Sequence, residues 1–257
     1  MKRTSMIASS AILLGSFFIS GNVFAADQAQ QTQTPIPAAA QTPVTADLTT
    51  PQQTTPKPPS DPDDPNKTEN DPVNVTGESG NLGIAYYPKG FSFTGNLGPT
   101  KLTLNDSGSN TSSDNTTYNI GVKDNTRQLN SWTLTAQLQW SNSELPGSTI
   151  TVTNPDNGKV KLNTNNGINP FKSTDLQQQS DVQGTNSDSV VISNSSTTIM
   201  TKGKATVGKG TYDYSLGSVG SLELMIPNAT DLVAKSYNGN VNWNLQITPD
   251  TSSSSIN

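Results

Sequence analysis

The sequence predicts an all-β domain: an antiparallel β-sandwich or partly closed barrel of about ten or more short strands, preceded by a disordered linker. Three observations carry this. Apolar and polar residues alternate in short runs through the C-terminal two-thirds of the chain. Turn residues punctuate that region roughly every eight to twelve positions. No stretch there keeps apolar residues at helical spacing for more than one turn.

The chain begins differently. Lys2 and Arg3 precede an apolar run from Ile7 to Ile19, and Val23-Phe24-Ala25 offers small residues at the −3 and −1 positions of a cleavage site. Residues 1–25 therefore read as a secretory signal peptide, cut after Ala25 with Ala26 as the alternative. The run is too short for a membrane span, which needs about 20 apolar residues. Residues 26–75 are rich in Gln, Thr, Ala, Pro and Asp, and ten of the 17 prolines fall there. So little apolar surface cannot offset the entropy of ordering, which predicts an extended disordered linker. The acidic run DPDDPN within it lacks calcium-loop spacing and reads as solvated linker.

Residues 76–250 form the predicted β domain, followed by a polar tail over 251–257. Its first strand is LGIAYY, closed by Pro88, with Phe91-Ser-Phe93 and KLTL (101–104) after it. A polar loop spans 105–116, and TYNIGVKD (117–124) places Tyr118, Ile120 and Val122 on one face. TITVT (149–153) and KVKL (159–162) flank NPDNG, a hairpin-turn signal. Residues 163–188 show no sustained period and read as a long loop. Strands resume at 189–193, 197–201, 205–207, 212–216 and 221–226. In a closing sheet, the first strand and the last are expected to pair.

Two strands stand out. In SWTLTAQLQW (131–140), Trp132, Leu134, Ala136, Leu138 and Trp140 alternate with Thr and Gln. Near the C-terminus Val241, Trp243, Leu245 and Ile247 alternate with Asn242, Asn244, Gln246 and Thr248, in a strand read over 237–248. Each contains a Trp-x-Leu triplet.

The inventory for catalysis is poor. The chain has no Cys and no His, which excludes disulfides, thiol nucleophiles, His-based triads and His metal sites. The acids of the domain lie mostly in turns, where Asp bonds its own backbone. Asp213 and Glu223 fall inside strands, on faces expected to be solvated. No enzyme, cofactor or metal is expected. Asp124-Asn125, just before the first Trp strand, reads as a plain Asx turn or as a group that anchors the turn or binds a cation. Loss of Lys2 and Arg3 with the leader takes the net charge from −5 to about −7. That acidity argues against nucleic acid and anionic lipid as partners. The Asn-x-Ser/Thr sites are expected by chance in so Asn-rich a chain. Leu145-Pro-Gly-Ser-Thr149 has no hydrophobic segment and basic tail after it, so it does not read as a sortase signal.

The two triplets and their flanks resemble the WxL-domain family of Gram-positive surface proteins. Trp132-Thr133-Leu134 follows VKDNTRQLNS, similar to the family's strand, Asp-Asn turn and Trp. Trp243-Asn244-Leu245 follows Tyr237 by six residues and precedes Thr-Pro, as in its C-terminal motif. LGIAYYPKGFSF is similar to its N-terminal strand. The family's turn before the first Trp is usually Gly-rich, and here it is NTRQLN. The resemblance covers residues from about 75 to 250. It implies non-covalent attachment to the cell wall, with peptidoglycan or another wall glycan as ligand. It also implies retention on the cell surface and co-assembly with other surface proteins, including membrane-anchored ones. The motif residues it marks are Trp132, Leu134, Trp243 and Leu245, with Asp124, Asn125 and Tyr237 in support. At this net charge, wall binding would rest on aromatic stacking or a protein patch rather than attraction to anionic polymers. Two readings of the tryptophans stand: stacking on a ligand, or burial in the core. Their place on the apolar faces of the strands weighs toward the core.

Overall fold

The computed structural model describes residues 44–46, 48, 55–59, 73–75, 80–98, 100–107, 117–185 and 189–248. The signal-peptide segment, most of the linker, the 108–116 loop and the tail lie outside them. The chain divides into two units, Met1–Asp47 and Leu48–Asn257. Residues 44–46 of the first are exposed and without regular structure.

The regular structure described in the second unit consists almost wholly of β-strands. In chain order they are β1 (Val73–Val75), β2 (Leu82–Pro88), β3 (Leu102–Asn105), β4 (Thr117–Asp124), β5 (Ser131–Trp140), β6 (Thr149–Thr153), β7 (Lys161–Asn163), β8 (Leu176–Gln178), β9 (Val182–Gly184), β10 (Ser189–Ile192), β11 (Thr197–Lys202), β12 (Gly210–Ser218), β13 (Glu223–Ile226) and β14 (Gly239–Thr248). They form three sheets, in the orders β1-β2-β4-β12-β7-β8, β10-β6-β13-β3 and β14-β5-β11-β9. Every pairing is antiparallel. One core draws side chains from all three: Tyr118, Ile120 and Tyr214 from the six-stranded sheet, Ile150 and Leu224 from the second, Leu134 and Met200 from the third. The all-β expectation holds, and the only helices among the described residues are single 3-10 turns at Ser141–Ser143 and Ser173–Asp175.

Several local expectations are corrected. The last strand pairs along its full length with β5, not with the first strand of the domain. Two ten-residue strands with matching alternation can satisfy one another's backbone groups over their whole length, which a seven-residue strand cannot do. NPDNG does turn, with Asn157 and Gly158 at φ 56° and 77°. Yet it joins no hairpin: β6 goes on to pair with β10 and β13, while β7 pairs with β12 and β8. The presumed loop 163–188 holds β8 and β9, three-residue strands too short to show a period. Residues 205–207 are not a strand, and Phe93 makes only an isolated bridge to Asp106.

Asp213 is not solvated. It lies on the face of β12 opposite Tyr212 and Tyr214, but Tyr86 covers it, and the Tyr86 hydroxyl donates to Asp213 Oδ1 at 2.7 Å. Gly121 makes room, because a Cβ there would strike the Tyr86 ring. Asn163 Nδ2 donates to the Tyr86 hydroxyl at 3.2 Å and to the Lys57 carbonyl at 2.7 Å. The Lys57 N–H donates to Asn165 Oδ1, and Lys123 Nζ reaches Thr55 Oγ1, both at 3.1 Å. Pro56, Pro58 and Pro59 are buried. Two segments inside the expected linker, 55–59 and β1, thus belong to the β domain. Burial raises the Asp213 carboxyl from 3.8 to about 7, with the Tyr86 hydrogen bond opposing.

Candidate functional site

β5 and β14 bring the two Trp-x-Leu triplets side by side. Leu245 lies opposite Leu134, Trp243 opposite Ala136 and Ile247 opposite Trp132. Cross-strand partners share a face, so both apolar sets point to the core and each Trp meets a smaller residue across the ladder. Their environments differ. β5 is flanked by β14 and β11, whereas β14 ends the sheet among the described residues. Trp132 and Leu134 are therefore buried, and Trp243 and Leu245 are half-buried, packed against the rim of the same core.

Trp132 is tied to the facing sheet. Its indole N–H donates to Asp124 Oδ2 at 3.0 Å, and its ring packs on Tyr212 with centroids 6.0 Å apart. Burial pushes the Tyr212 hydroxyl up to about 12. Asp124 ends β4, and Oδ1 accepts the Thr126 backbone N–H at 3.2 Å and its hydroxyl at 2.7 Å. The Asx turn is thus formed, and the turn is anchored as well. The cation facing Asp124 is Lys202, at the end of β11: Nζ lies 3.5 Å from Asp124 Oδ2, with both side chains fully buried. Lys202 Nζ also donates to the Asn130 carbonyl and, at 2.9 Å, to Asn130 Oδ1. Gly208 closes the site, since a Cβ there would overlap the Asp124 carboxylate. A buried ion pair is costly unless its geometry is good and its remaining atoms are satisfied, as here.

Sequence reasoning marked Asp124 and Trp132 but missed Lys202, Asn130 and Gly208. Lys202 follows Met200 at period two, opposite Trp132, so a lone Lys ending an apolar strand face was the available signal. Asn125 is buried beside Asp124. Tyr237 stands apart: half-buried before β14, it donates to the Val233 carbonyl at 2.8 Å beneath the Lys235 ammonium. Among the described residues no cluster of His, Cys, Asp or Glu could hold a metal.

The other face of β5 and β14 points to solvent. Gln137, Gln139, Asn240, Asn242, Asn244 and Gln246 are exposed there, and Asn242 Nδ2 donates to Gln139 Oε1 at 3.0 Å. Neither strand carries a charged residue. The result is an uncharged surface of amide donors and acceptors.

The family model described as WxL domain, surface cell wall-binding, matches residues 37–249. This chain belongs to the WxL domain family. No curated protein and no solved structure matches it. The WxL family is one of surface, cell wall-binding domains and not a family of enzymes. In the WxL triplets of this chain, the first Trp is buried and hydrogen-bonded to Asp124, and the second lies at the rim of the core. Among the described residues no helix is long and apolar enough to cross a membrane.

Proposed function

We propose that this WxL protein is exported and binds peptidoglycan non-covalently, laying a glycan strand along the amide face of β5 and β14. One observation supports this reading above others: six exposed amide side chains on two adjacent strands with no charge among them. Amides donate to and accept from sugar hydroxyls and N-acetyl groups alike. An uncharged face also suits a protein of net negative charge working beside anionic wall polymers. Trp243 lies on the opposite, core-facing side of β14 and supports the strand beneath that face.

Sedimentation of the purified chain with bare, protein-free sacculi at moderate salt tests this. The wild-type chain pellets with the sacculi. A triple variant, Gln137→Ala, Asn242→Ala and Asn244→Ala, removes three amides and weakens binding roughly tenfold or more. A wild-type chain that stays in the supernatant overturns the wall reading.

A second reading rests on the edge position of β14. An edge strand presents unpaired backbone groups to which a partner strand can add. On that reading the chain is a subunit of a surface complex, held by a membrane-anchored or wall-anchored protein, and its association with the wall is indirect. Failure to bind bare sacculi, with recovery when partner surface proteins are restored, favours it.

A further inference from the structure

We propose that Lys202 and Asn130 join in an intramolecular amide bond, formed within the folded domain with Asp124 as the proton carrier. The three side chains meet in one dry site. Lys202 Nζ is 2.9 Å from Asn130 Oδ1, which places the amide carbon one bond further on. Asp124 Oδ2 is 3.5 Å from the same nitrogen. Relative exposures are 2 % for Lys202, 6 % for Asn130 and 0 % for Asp124, so water competes poorly with the amine for the amide carbon. Each group is held in place. Lys202 lies opposite Trp132 in the ladder, Trp132 and Thr126 fix Asp124, and Asn130 immediately precedes β5. Holding the nucleophile beside both the carbonyl and the proton carrier is worth large effective concentrations. Arg127, Gln128 and Leu129 are exposed just before Asn130, which gives the leaving group a short path out.

The chemistry balances without a co-reactant. A proton passes from the Lys202 ammonium to the Asp124 carboxylate. The Nζ lone pair attacks Asn130 Cγ, forming the Nζ–Cγ bond and moving the carbonyl electron pair onto Oδ1. Asp124 gives its proton to Nδ2. The carbonyl re-forms, the Cγ–Nδ2 bond breaks, and its electron pair departs with the nitrogen as ammonia. Asp124 takes the surplus proton from Nζ and passes it to the ammonia, which leaves as ammonium. Nothing is oxidised or reduced. The bond ties the start of β5 to the end of β11, in a chain with no cysteine to make a disulfide.

The intact mass of the full chain, measured after denaturation, tests this directly. The expected mass is below that of the sequence by one ammonia. Trypsin no longer cuts after Lys202, and a branched peptide joins residues 128–159 to residues 173–204. A cyclic imide at Asn130 would lose the same mass but leave Lys202 cleavable and its peptide separate. That result, or a full sequence mass with two linear peptides, overturns the proposal. Asn130→Asp is expected to lose one water instead of one ammonia and to give the same branched peptide. Lys202→Arg is expected to keep full mass at this site. Should either variant fail to fold, the wild-type mass and peptide map decide the question alone.

Discussion

The two Trp-x-Leu triplets share a pattern, a sheet and a face, yet they live in different places. The first is internal: Trp132 touches the opposite sheet, bonds a buried carboxylate and lies within one strand of a buried lysine. The second is on the rim: β14 has one neighbour among the described residues, and Trp243 keeps part of its ring in reach of solvent. Alternation sets which face a side chain takes, whereas position in the sheet order sets how deeply it is buried. A repeated motif can thus serve as scaffold in one copy and as a margin available for contact in the other.

Substitution at the inner triplet is expected to break the contrast most forcefully. Trp132→Ala opens a cavity and leaves Asp124 short of a donor, at a cost of about 3–5 kcal/mol in chemical denaturation. Asp124→Ala leaves the buried Lys202 nitrogen and the Trp132 indole without their acceptor and costs a similar amount, about 3–5 kcal/mol. Should either variant unfold at the wild-type denaturant midpoint, the inner network is not structural.

A second buried carboxylate sharpens the comparison through pH. Asp124 faces the Lys202 nitrogen and the Trp132 indole, whereas Asp213 faces a phenol and has its carboxyl raised to about 7. Between 3.8 and about 7 the folded chain therefore binds a proton that the unfolded chain has released. The contribution of this group is fully present below the unfolded value and fades as pH rises through the folded one. Asp213→Asn is expected to remove that slope and to raise stability above pH 7 relative to wild type, read from denaturant midpoints across pH. An unchanged slope would mean that Asp213 titrates normally.

At the rim, Trp243→Ala is expected to cost less, about 1–2 kcal/mol, because its ring is half-buried already. If sacculus binding falls further than this loss of stability explains, the outer Trp contributes contact. Smallest of all is the effect of the amide-face triple variant on stability, because the two side-chain bonds it removes, Gln137 to the Asn194 carbonyl and Asn242 to Gln139, are solvent-exposed. A loss of about 1 kcal/mol or less is expected. Thermal unfolding checks this, and a large shift would show that the amides hold the sheet together instead of serving a ligand.

Much of the fold was legible because β5, β14, β4 and β12 keep period two over eight to ten residues, enough to fix a face. Sheet membership was not, because NPDNG carries the chemistry of a turn but nothing that says whether its flanking strands stay together. β8 and β9 were unreadable for lack of length. In the candidate site, Trp132 and Asp124 were found through local spacing. Lys202 and Asn130 were not, since their meeting depends on the β5–β11 register across 72 positions. The burial of Asp213 was equally hidden, because its cover comes from Tyr86, 127 positions away in the chain.

The proline-rich segment before β1 has one more effect. Residues 55–59 are held at Asn163 and Asn165, so the described attachment of the chain to the domain begins near residue 55 and not near residue 76. A chain spans at most about 3.5 Å per residue. A tether beginning near residue 76 would be about twenty residues longer, or roughly 70 Å in full extension. Attachment near residue 55 takes that length of chain away from any tether and gives it to the domain.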